Sequence, residues 1–262
     1  MEQTVVSAQN PAAHRDGDRM PVSRSQELSQ IAWDALSPLV IDHDAIARNR
    51  IVTANRSDTA HVAFDMLRTK LLQELRQNNW TSVAITSPTP GCGKTFVAAN
   101  LAFSLANQKD CRTLLLDLDL RRPQVGKTLG IKNAASMESF LKGEIEVGDT
   151  FLRHEENLAI AANRKPAQFS AELLQSTAST DALFEMKQRM MPDIILFDLP
   201  PMLSTDDVLA FLPNVDCVIL VAAAEHSTLA EVDVCEHSLA AKANVLGVVL
   251  NKCKFTPEKY GY

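Results

Sequence analysis

The sequence predicts a three-layer α/β fold, in which helices cover both faces of a mostly parallel central sheet. Short apolar segments of strand type recur at 82–86, 113–118, 158–162, 193–198, 216–222 and 244–250. Helical segments lie between most of them, at 94–107, 136–142, 170–190 and 228–241. Strands that alternate with helices favour a parallel sheet buried on both sides. With 262 residues, 46% of them hydrophobic, the chain can form one such domain with extensions.

The segments that flank this pattern are more polar. Residues 1–60 contain an aperiodic stretch, a short helical segment at 27–36 and a mixed segment at 38–58, and we expect a flexible N-terminal extension and linker. A helical pattern with one apolar side starts at residue 61. We therefore place the domain at 61–251 and a C-terminal tail at 252–262.

Bulk composition excludes several classes of protein. The net charge of −6 gives no reason to expect nucleic-acid binding. The five cysteines show neither disulfide nor metal-site spacing, which favours a reducing cytosol. The N-terminus lacks the pattern of a secretory signal, and no apolar run approaches the ~20 residues that span a bilayer. We expect a cytoplasmic chain without a transmembrane segment of its own.

Residues 87–95 read Ser-Pro-Thr-Pro-Gly-Cys-Gly-Lys-Thr and end in the Gly-Lys-Thr of a phosphate-binding loop. A predicted strand precedes this segment and a predicted helix follows it, as such a loop requires. Gly91 and Gly93 let backbone N–H groups converge on one anion. Lys94 is then expected to reach the β- and γ-phosphates, and the Thr95 hydroxyl to ligate Mg²⁺.

One position departs from this pattern. Pro88 stands where the consensus Gly-x4-Gly-Lys has its first glycine. The alternative interpretation is an apolar strand followed by a glycine-rich helix entry that binds nothing.

Asp117 and Asp119 follow a buried strand and precede Arg121, Arg122 and a proline. Ligands of parallel α/β sheets bind beyond the carboxyl ends of the strands. Two neighbouring carboxylates there repel each other unless Mg²⁺ or a proton intervenes, and one of them could accept a proton from an attacking hydroxyl. The alternative is that Asp119 only caps the next turn while both arginines face solvent.

A third site has the same form, because the apolar strand at 193–198 ends in Asp198. Such a residue commonly holds Mg²⁺ through a water beside a phosphate loop. An aspartate after a strand is often only a turn former, but three such sites in order predict nucleotide binding by a three-layer P-loop NTPase fold.

These three segments resemble the Walker A, Walker A′ and Walker B motifs of the bacterial tyrosine kinases (BY-kinases) of capsule and exopolysaccharide production, relatives of the ParA/MinD ATPases. The resemblance covers roughly residues 60–251. It implies ATP and Mg²⁺ as cofactors and assigns the following roles. The catalytic residues are Lys94, Asp117, Asp119 and Asp198; the metal ligands are Thr95, Asp117 and Asp198; and the nucleotide-binding residues are Pro90, Gly91, Cys92, Gly93, Lys94, Thr95, Phe96 and Asn251.

Three positions distinguish the chain within this resemblance. ParA/MinD ATPases usually carry a second lysine where Thr89 stands, which favours the kinase branch. The BY-kinase assembly element Glu-x2-Arg-x2-Arg aligns with Val62, Asp65 and Arg68, so only its last arginine is present. Cys92 occupies a position that is often glutamate. Its thiol is either a passive loop residue or, with a lowered pKa, a site of oxidation.

Both tyrosines of the chain, Tyr260 and Tyr262, lie in the last three residues. BY-kinases phosphorylate a C-terminal tyrosine cluster, so the resemblance implies that these two are phosphoacceptors. A phosphotyrosine adds close to two negative charges, which could expel the tail from a neighbour's acidic site. The alternative is a terminal peptide with incidental tyrosines.

The resemblance implies an autophosphorylating tyrosine kinase that regulates exopolysaccharide polymerisation and export. Its implied partner is a separate membrane-embedded polysaccharide co-polymerase or chain-length regulator, which would hold the chain at the inner face of the plasma membrane, and a homo-oligomer is a further expectation. Two alternatives stay open at this point: an ATPase switch without kinase activity, and a nucleotide-binding adaptor without turnover.

Overall fold

An eight-stranded sheet runs through the part of the chain that the computed structural model describes, residues 23–55 and 58–254. The strands are β1 (Ser37–Pro38), β2 (Ser82–Ser87), β3 (Thr113–Asp117), β4 (Leu152–His154), β5 (Leu158–Ala161), β6 (Ile194–Pro201), β7 (Cys217–Ala223) and β8 (Asn244–Asn251). Their order in the sheet is β1-β4-β5-β3-β6-β2-β7-β8, and all neighbours are parallel except β4 and β5. The predicted mostly parallel α/β sheet is confirmed.

Helices flank this sheet. They are α1 (Arg24–Asp34), α2 (His43–Arg48), α3 (Val52–Asn55), α4 (His61–Asn78), α5 (Lys94–Ala106), α6 (Val125–Leu129), α7 (Met137–Leu141), α8 (Val147–Thr150), α9 (Ser170–Leu174), α10 (Thr177–Met190), α11 (Asp207–Phe211) and α12 (Leu229–Ala240). A 3₁₀ turn, Leu212–Asn214, follows α11.

Both faces of the sheet are buried, because side chains of a strand alternate between them. Leu114 and Leu116 of β3 pack into one hydrophobic cluster with Phe197 of β6. Leu115 lies in the cluster on the opposite face, with Leu196. This explains why the central strands read as continuous apolar runs rather than as alternating patterns.

The observed elements differ from the predicted pattern at α9–α10 and at β4. The segment 170–190 forms two helices, α9 and α10, because Ser176 adopts an extended conformation and its hydroxyl accepts the N–H of Ser179, which caps α10. Strand β4 was not predicted. Its three residues are only half-buried, so they lack a hydrophobic run that would mark a strand.

The expectation of a flexible extension and linker up to residue 60 does not hold for residues 23–55. Trp33 of α1 is fully buried, and its indole Nε1 donates a 2.8 Å hydrogen bond to the carbonyl of Met190. The Ser29 hydroxyl donates to the same carbonyl at 2.8 Å. Helix α1 is therefore packed on the C-terminal end of α10, and one buried aromatic side chain secures it.

Residues 37–55 also pack on the domain instead of forming a linker. Ile46 and Ile51 are almost fully buried, and the Thr53 hydroxyl donates a 2.8 Å hydrogen bond to the carbonyl of Asn100 on α5. These isolated apolar residues lie within polar surroundings, which is why no periodic pattern revealed them. Residues 1–22 and 255–262, which include the predicted tail and both tyrosines, lie outside the described residues.

Candidate nucleotide-binding site

The predicted phosphate-binding loop connects β2 to α5 at the carboxyl end of the sheet. Gly91 and Gly93 both have left-handed backbone conformations, with φ of 83° and 93°. Glycine is the residue that adopts this region without steric cost. A Cβ on Gly93 would also come within 2.2 Å of the Asn251 side-chain nitrogen, so any other residue here would have a strained backbone and would force the Asn251 amide to move.

Lys94 is the first residue of α5, and its ammonium group lies among carboxylates. Its Nζ is 2.8 Å from Asp119 Oδ2 and 3.6 Å from Asp198 Oδ1. The next residue, Thr95, donates its hydroxyl to Asp198 Oδ2 at 2.6 Å. The structure thus brings together four of the residues that the sequence predicted to act together.

Asp117 completes this group. It is the register partner of Asp198 on the adjacent strand, because β3 and β6 run in parallel. Both side chains are fully buried. The Val125 N–H donates to Asp117 Oδ2 at 2.9 Å, whereas Asp117 Oδ1 and Asp198 Oδ1 accept no hydrogen bond from a described residue.

These two buried oxygens without hydrogen-bond donors fit a hard cation. Mg²⁺ binds through one or two carboxylates together with phosphate oxygens and waters. No group of three or more acidic, histidine or cysteine side chains able to hold a metal ion occurs among the described residues. Asp117, Asp198 and the Thr95 hydroxyl offer oxygen ligands of the kind that Mg²⁺ takes together with phosphate oxygens.

Burial and mutual proximity control the ionisation of this group. Burial and the neighbouring Asp198 raise the pKa of Asp117 well above its ordinary value. Burial also raises the pKa of Asp198, although Lys94 and the Thr95 hydroxyl oppose this shift. Burial by itself would lower the pKa of Lys94, but the charges of Asp198 and Asp119 outweigh it, so that pKa is raised. Lys94 is therefore a permanent cation in this site.

A second ion pair braces the loop after β3, and sequence reasoning missed it. The Arg121 guanidinium binds both carboxylate oxygens of Asp207 at 2.9–3.2 Å. Asp207 is fully buried and also accepts the Ser170 hydroxyl at 2.7 Å. Asp207 directly follows the exposed Asp206, so no local signal separates the structural carboxylate from a solvated one.

Cys92 lies within the loop, and the Asn251 side chain at the end of β8 holds the loop backbone in place. The Asn251 side-chain amide donates to the Cys92 carbonyl at 2.9 Å. The Cys92 sulfur lies 3.4 Å from the Ser227 hydroxyl and 3.6 Å from that of Thr89. Burial would raise the pKa of this thiol, but these neighbouring hydroxyls and the backbone lower it overall. Cys92 as a whole is only 1% exposed.

Two further residues singled out in the sequence, Phe96 and Arg68, make contacts within the chain. The Phe96 ring packs edge-on against Phe64, with 5.6 Å between centroids. Arg68 donates to Asp65 at 2.9 Å and to the Ser104 carbonyl at 3.0 Å, so the remaining arginine of the assembly element is used within the chain. The nucleotide contacts predicted for Phe96, Cys92 and Asn251 stay predictions.

A cleft of about 670 Å³ opens above the loop. Its lining includes Pro90, Gly91, Gly93, Lys94, Thr95, Asp119, Arg121, Arg122, Gln124, Pro201 and Lys252. A cleft of similar volume, about 680 Å³, lies near β1 and β4 but contains no glycine-rich loop. Volume alone therefore does not identify the site, whereas the convergence of loop, lysine and carboxylates does.

The family model described as ParA, NUBPL iron-transfer P-loop NTPase, matches residues 79–261, well over half of the chain. The chain belongs to the ParA family of P-loop NTPases. Membership agrees with the loop geometry, the parallel sheet and the paired carboxylates of Asp117 on β3 and Asp198 on β6.

Individual relatives confirm the resemblance to the bacterial tyrosine kinases. A putative tyrosine-protein kinase in the cps region of Klebsiella pneumoniae is 29% identical over 92% of this chain and 33% of its own length. Tyrosine-protein kinase YwqD of Bacillus subtilis is 29% identical over 82% of this chain and 91% of its own length. The kinase domain of the Escherichia coli tyrosine kinase ETK superimposes with a TM-score of 0.70 at 27% identity, covering 81% of this chain and 84% of that domain.

The chain spans about a third or less of the length of several curated relatives that it matches. Among the described residues, no helix is long and apolar enough to cross a membrane.

Proposed function

We propose that the chain is an ATP-dependent protein tyrosine kinase, which transfers the γ-phosphoryl group of ATP to Tyr260 and Tyr262 of its own C-terminal segment. The observation that carries this proposal is the position of Asp119, which lines the cleft and contacts Lys94 at 2.8 Å. A carboxylate beside the phosphate-binding lysine can take a proton from a phenol. The kinship with YwqD, nearly all of which this chain matches, supports the same activity.

Nucleotide binding in this proposal relies on the loop. The N–H groups around Gly91 and Gly93 would bind the phosphates, assisted by the N-terminal end of α5. Thr95, Asp117 and Asp198 would hold Mg²⁺. The bound ion would neutralise charge on the β- and γ-phosphate oxygens.

Lys94 has to change partners during the reaction. In the structure its ammonium group is paired with Asp119 at 2.8 Å. On ATP binding it would turn to the β- and γ-phosphates, which releases the Asp119 carboxylate into the cleft. The same movement of Lys94 would thus bind the phosphates and free Asp119 to accept a proton.

The transfer step then follows from these positions. The phenolic oxygen of the tyrosine forms a bond to the γ-phosphorus while the bond to the β–γ bridging oxygen breaks, and that electron pair leaves with ADP. The phenolic proton passes to Asp119 or Asp117. Lys94 and the loop N–H groups stabilise the charge on the transferring group.

The cellular role belongs to the same proposal. The chain would regulate exopolysaccharide or capsule polymerisation and export by acting with a membrane-embedded co-polymerase or chain-length regulator. That partner would supply a cytoplasmic peptide and hold the chain at the inner face of the plasma membrane. Phosphorylation of the tail would occur between copies in a homo-oligomer. The location of one relative in a cps region supports this role.

Phosphosite mapping tests the proposal. The purified chain, incubated with Mg-ATP, is expected to gain phosphate on Tyr260 or Tyr262, detected by mass spectrometry of the C-terminal peptide. Lys94→Met is expected to abolish it, because the phosphate-binding cation is lost. The double variant Tyr260→Phe/Tyr262→Phe is the matched control: it should bind ATP like the wild type and gain no phosphotyrosine.

Demonstrated ATP binding without phosphate on either tyrosine would overturn the kinase activity and leave the ATPase switch. If the double phenylalanine variant also retained partner binding and polymer output, the switch would be the better description.

A further inference from the structure

A second cleft lies beside the nucleotide cleft at the carboxyl end of β5. It has a volume of about 440 Å³ and lies between the loop 121–127, the segment 131–134 and the turn 163–166. The two clefts share Arg121, Arg122 and Gln124 in their linings. The second cleft therefore occupies the edge of the sheet at which ligands of such folds bind.

Its lining is basic although the chain is acidic. The ionisable side chains that line it are Arg121, Arg122, Lys127, Lys132 and Arg164, and no carboxylate is among them, in a chain with a net charge of −6. Arg121 is engaged by Asp207. The other four form no ion pair within 4.0 Å with any described residue. Apart from Arg121, the cations concentrated here have no carboxylate within ion-pair distance among the described residues.

One buried side chain in this cleft lacks a hydrogen-bond acceptor. Asn163 is only 5% exposed, and its Oδ1 accepts the Met137 N–H at 3.3 Å. This bond fixes the orientation of the amide, so Nδ2 points away from Met137. Nδ2 is buried and donates to no described residue. A buried donor without an acceptor costs free energy unless a ligand or water supplies one.

Backbone contacts hold this arrangement in place. The Arg164 N–H donates to the Ala135 carbonyl at 2.9 Å, and the Ala167 N–H donates to the Leu120 carbonyl at 2.8 Å. Gly126 packs beside the turn, where an added Cβ would be in ordinary van der Waals contact with Ala162 Cβ at 3.5 Å. The cations therefore extend from a framework that a ligand does not have to order.

We propose that this basic cleft is an anion-binding site for a phosphate monoester, distinct from the nucleotide site. Arg122, Lys127, Lys132 and Arg164 would supply the charge, and Asn163 Nδ2 would donate one directional hydrogen bond. A phosphate dianion combines the charge that the cations require with the several acceptor oxygens that arginine and amide groups bind. Because Arg122 lines both clefts, an anion held here would lie beside a nucleotide bound in the first cleft.

The same chemistry has two possible sources: a free phosphorylated small molecule, or a phosphorylated side chain such as a tail tyrosine of a second copy. The site itself and the small-molecule source do not depend on the proposed kinase activity, whereas the tail-tyrosine source rests on it. It goes beyond that activity because it assigns a second ligand site to the domain.

Titration with inorganic phosphate at constant ionic strength tests the site in the full chain, with the nucleotide site saturated by Mg-ADP. Phosphate is expected to bind at millimolar concentrations and to shift the Asn163 side-chain amide signals in ¹H–¹⁵N spectra. Arg164→Ala and Lys127→Ala should each weaken binding about tenfold, since each removes a charge-assisted hydrogen bond. Lys165→Ala is the matched control, because this adjacent exposed lysine is not part of the lining, and its binding should be unchanged.

Three results would overturn the proposal: no phosphate binding, displacement of phosphate by Mg-ADP, or equal affinity in the wild type and Arg164→Ala. Asn163→Asp adds a separate measurement, because it keeps the acceptor for Met137 and replaces the free donor by a carboxylate. It should abolish phosphate binding. A 252–262 peptide phosphorylated on Tyr260 distinguishes the sources: tighter binding than inorganic phosphate indicates a phosphorylated chain, and equal affinity indicates a small molecule.

Discussion

Aspartates lie at both ends of the central sheet, but they differ in their hydrogen-bond partners and in the direction of their pKa shifts. At the amino end, Asp216 Oδ2 accepts hydrogen bonds from the Thr81 N–H at 2.9 Å and from the N–H and hydroxyl of Ser82 at 2.8 and 2.7 Å. Burial would raise its pKa, but these bonds lower it overall. At the carboxyl end, Asp117 and Asp198 each keep an oxygen without a hydrogen-bond donor, and the pKa of each is raised.

This difference distinguishes an aspartate that stabilises the fold from aspartates that are placed to bind a ligand. The carboxylate at the amino end is paired by the backbone and stabilises the sheet. The carboxylates at the carboxyl end are held close together, and one oxygen of each accepts no hydrogen bond from a described residue. Lys94 supplies their counter-charge, but the remaining cost of burying them lowers the stability of the fold until a ligand supplies further partners. Sites that must bind a cation and phosphate commonly carry such a cost in stability.

The most severe change removes the cation from the carboxyl end. Lys94→Met leaves Asp117, Asp119 and Asp198 without their shared counter-charge, so we expect a loss of about 3–5 kcal/mol in the free energy of unfolding without nucleotide. Denaturant titration measures it. Lys252→Met is the control, since Lys252 lines the same cleft but is exposed, and its effect should stay below about 0.5 kcal/mol. Equal stability of Lys94→Met and the wild type would refute the idea that Lys94 offsets the cost of burying these carboxylates together.

The loop glycines provide a second comparison at this end. Gly91→Ala and Gly93→Ala both place a side chain in a left-handed conformation, which costs about 1–2 kcal/mol. Gly93→Ala additionally collides with Asn251, whereas nothing lies within 4 Å of a Cβ at Gly91. We expect Gly93→Ala to lose more stability than Gly91→Ala in thermal unfolding. The reverse order would contradict the role of Asn251 as a brace.

At the amino end, Asp216→Asn should destabilise the chain by about 1–2 kcal/mol at neutral pH, because neutral hydrogen bonds replace charge-assisted ones. The folded-state pKa lies below the ordinary value of 3.8. The advantage of the wild type is therefore full above pH 3.8 and disappears as the pH falls through the folded-state pKa. Asp110→Asn, an exposed aspartate near the same end, serves as the control in urea titrations across this pH range.

The matching substitution at the carboxyl end should have the opposite sign. Asp117→Asn keeps an acceptor for the Val125 N–H and removes a buried charge, so we expect it to stabilise the empty chain by about 1 kcal/mol at pH 7. Because the folded-state pKa of Asp117 is raised, its ionisation penalty is absent below pH 3.8 and grows as the pH rises. The gain should vanish towards pH 4, and the variant should lose kinase activity. If Asp117→Asn were instead less stable than the wild type at pH 7, the proposed difference between the aspartates at the two ends of the sheet would be wrong.

The sequence predicted the carboxyl end of the sheet much better than its surroundings. Lys94 follows an apolar strand through a short loop, and Asp117 and Asp198 close apolar runs, although β6 continues beyond Asp198 to Pro201. Parallel strands bring such positions to one edge, so local patterns were sufficient. Arg121 and Asp207 are 86 residues apart, and Trp33 and Met190 are 157 apart. No periodicity links residues so distant. The role of Asp207 and the packing of α1 therefore required the folded structure.

The contact between Asn251 and Cys92 joins residues that are 159 positions apart, and it has a consequence for the order of events during synthesis. The phosphate-binding loop leaves the ribosome long before the asparagine that holds its carbonyl in place. A nascent chain that stops short of β8 has the complete motif but not its brace. Completion of the last strand therefore sets the earliest moment at which the loop can reach its final form.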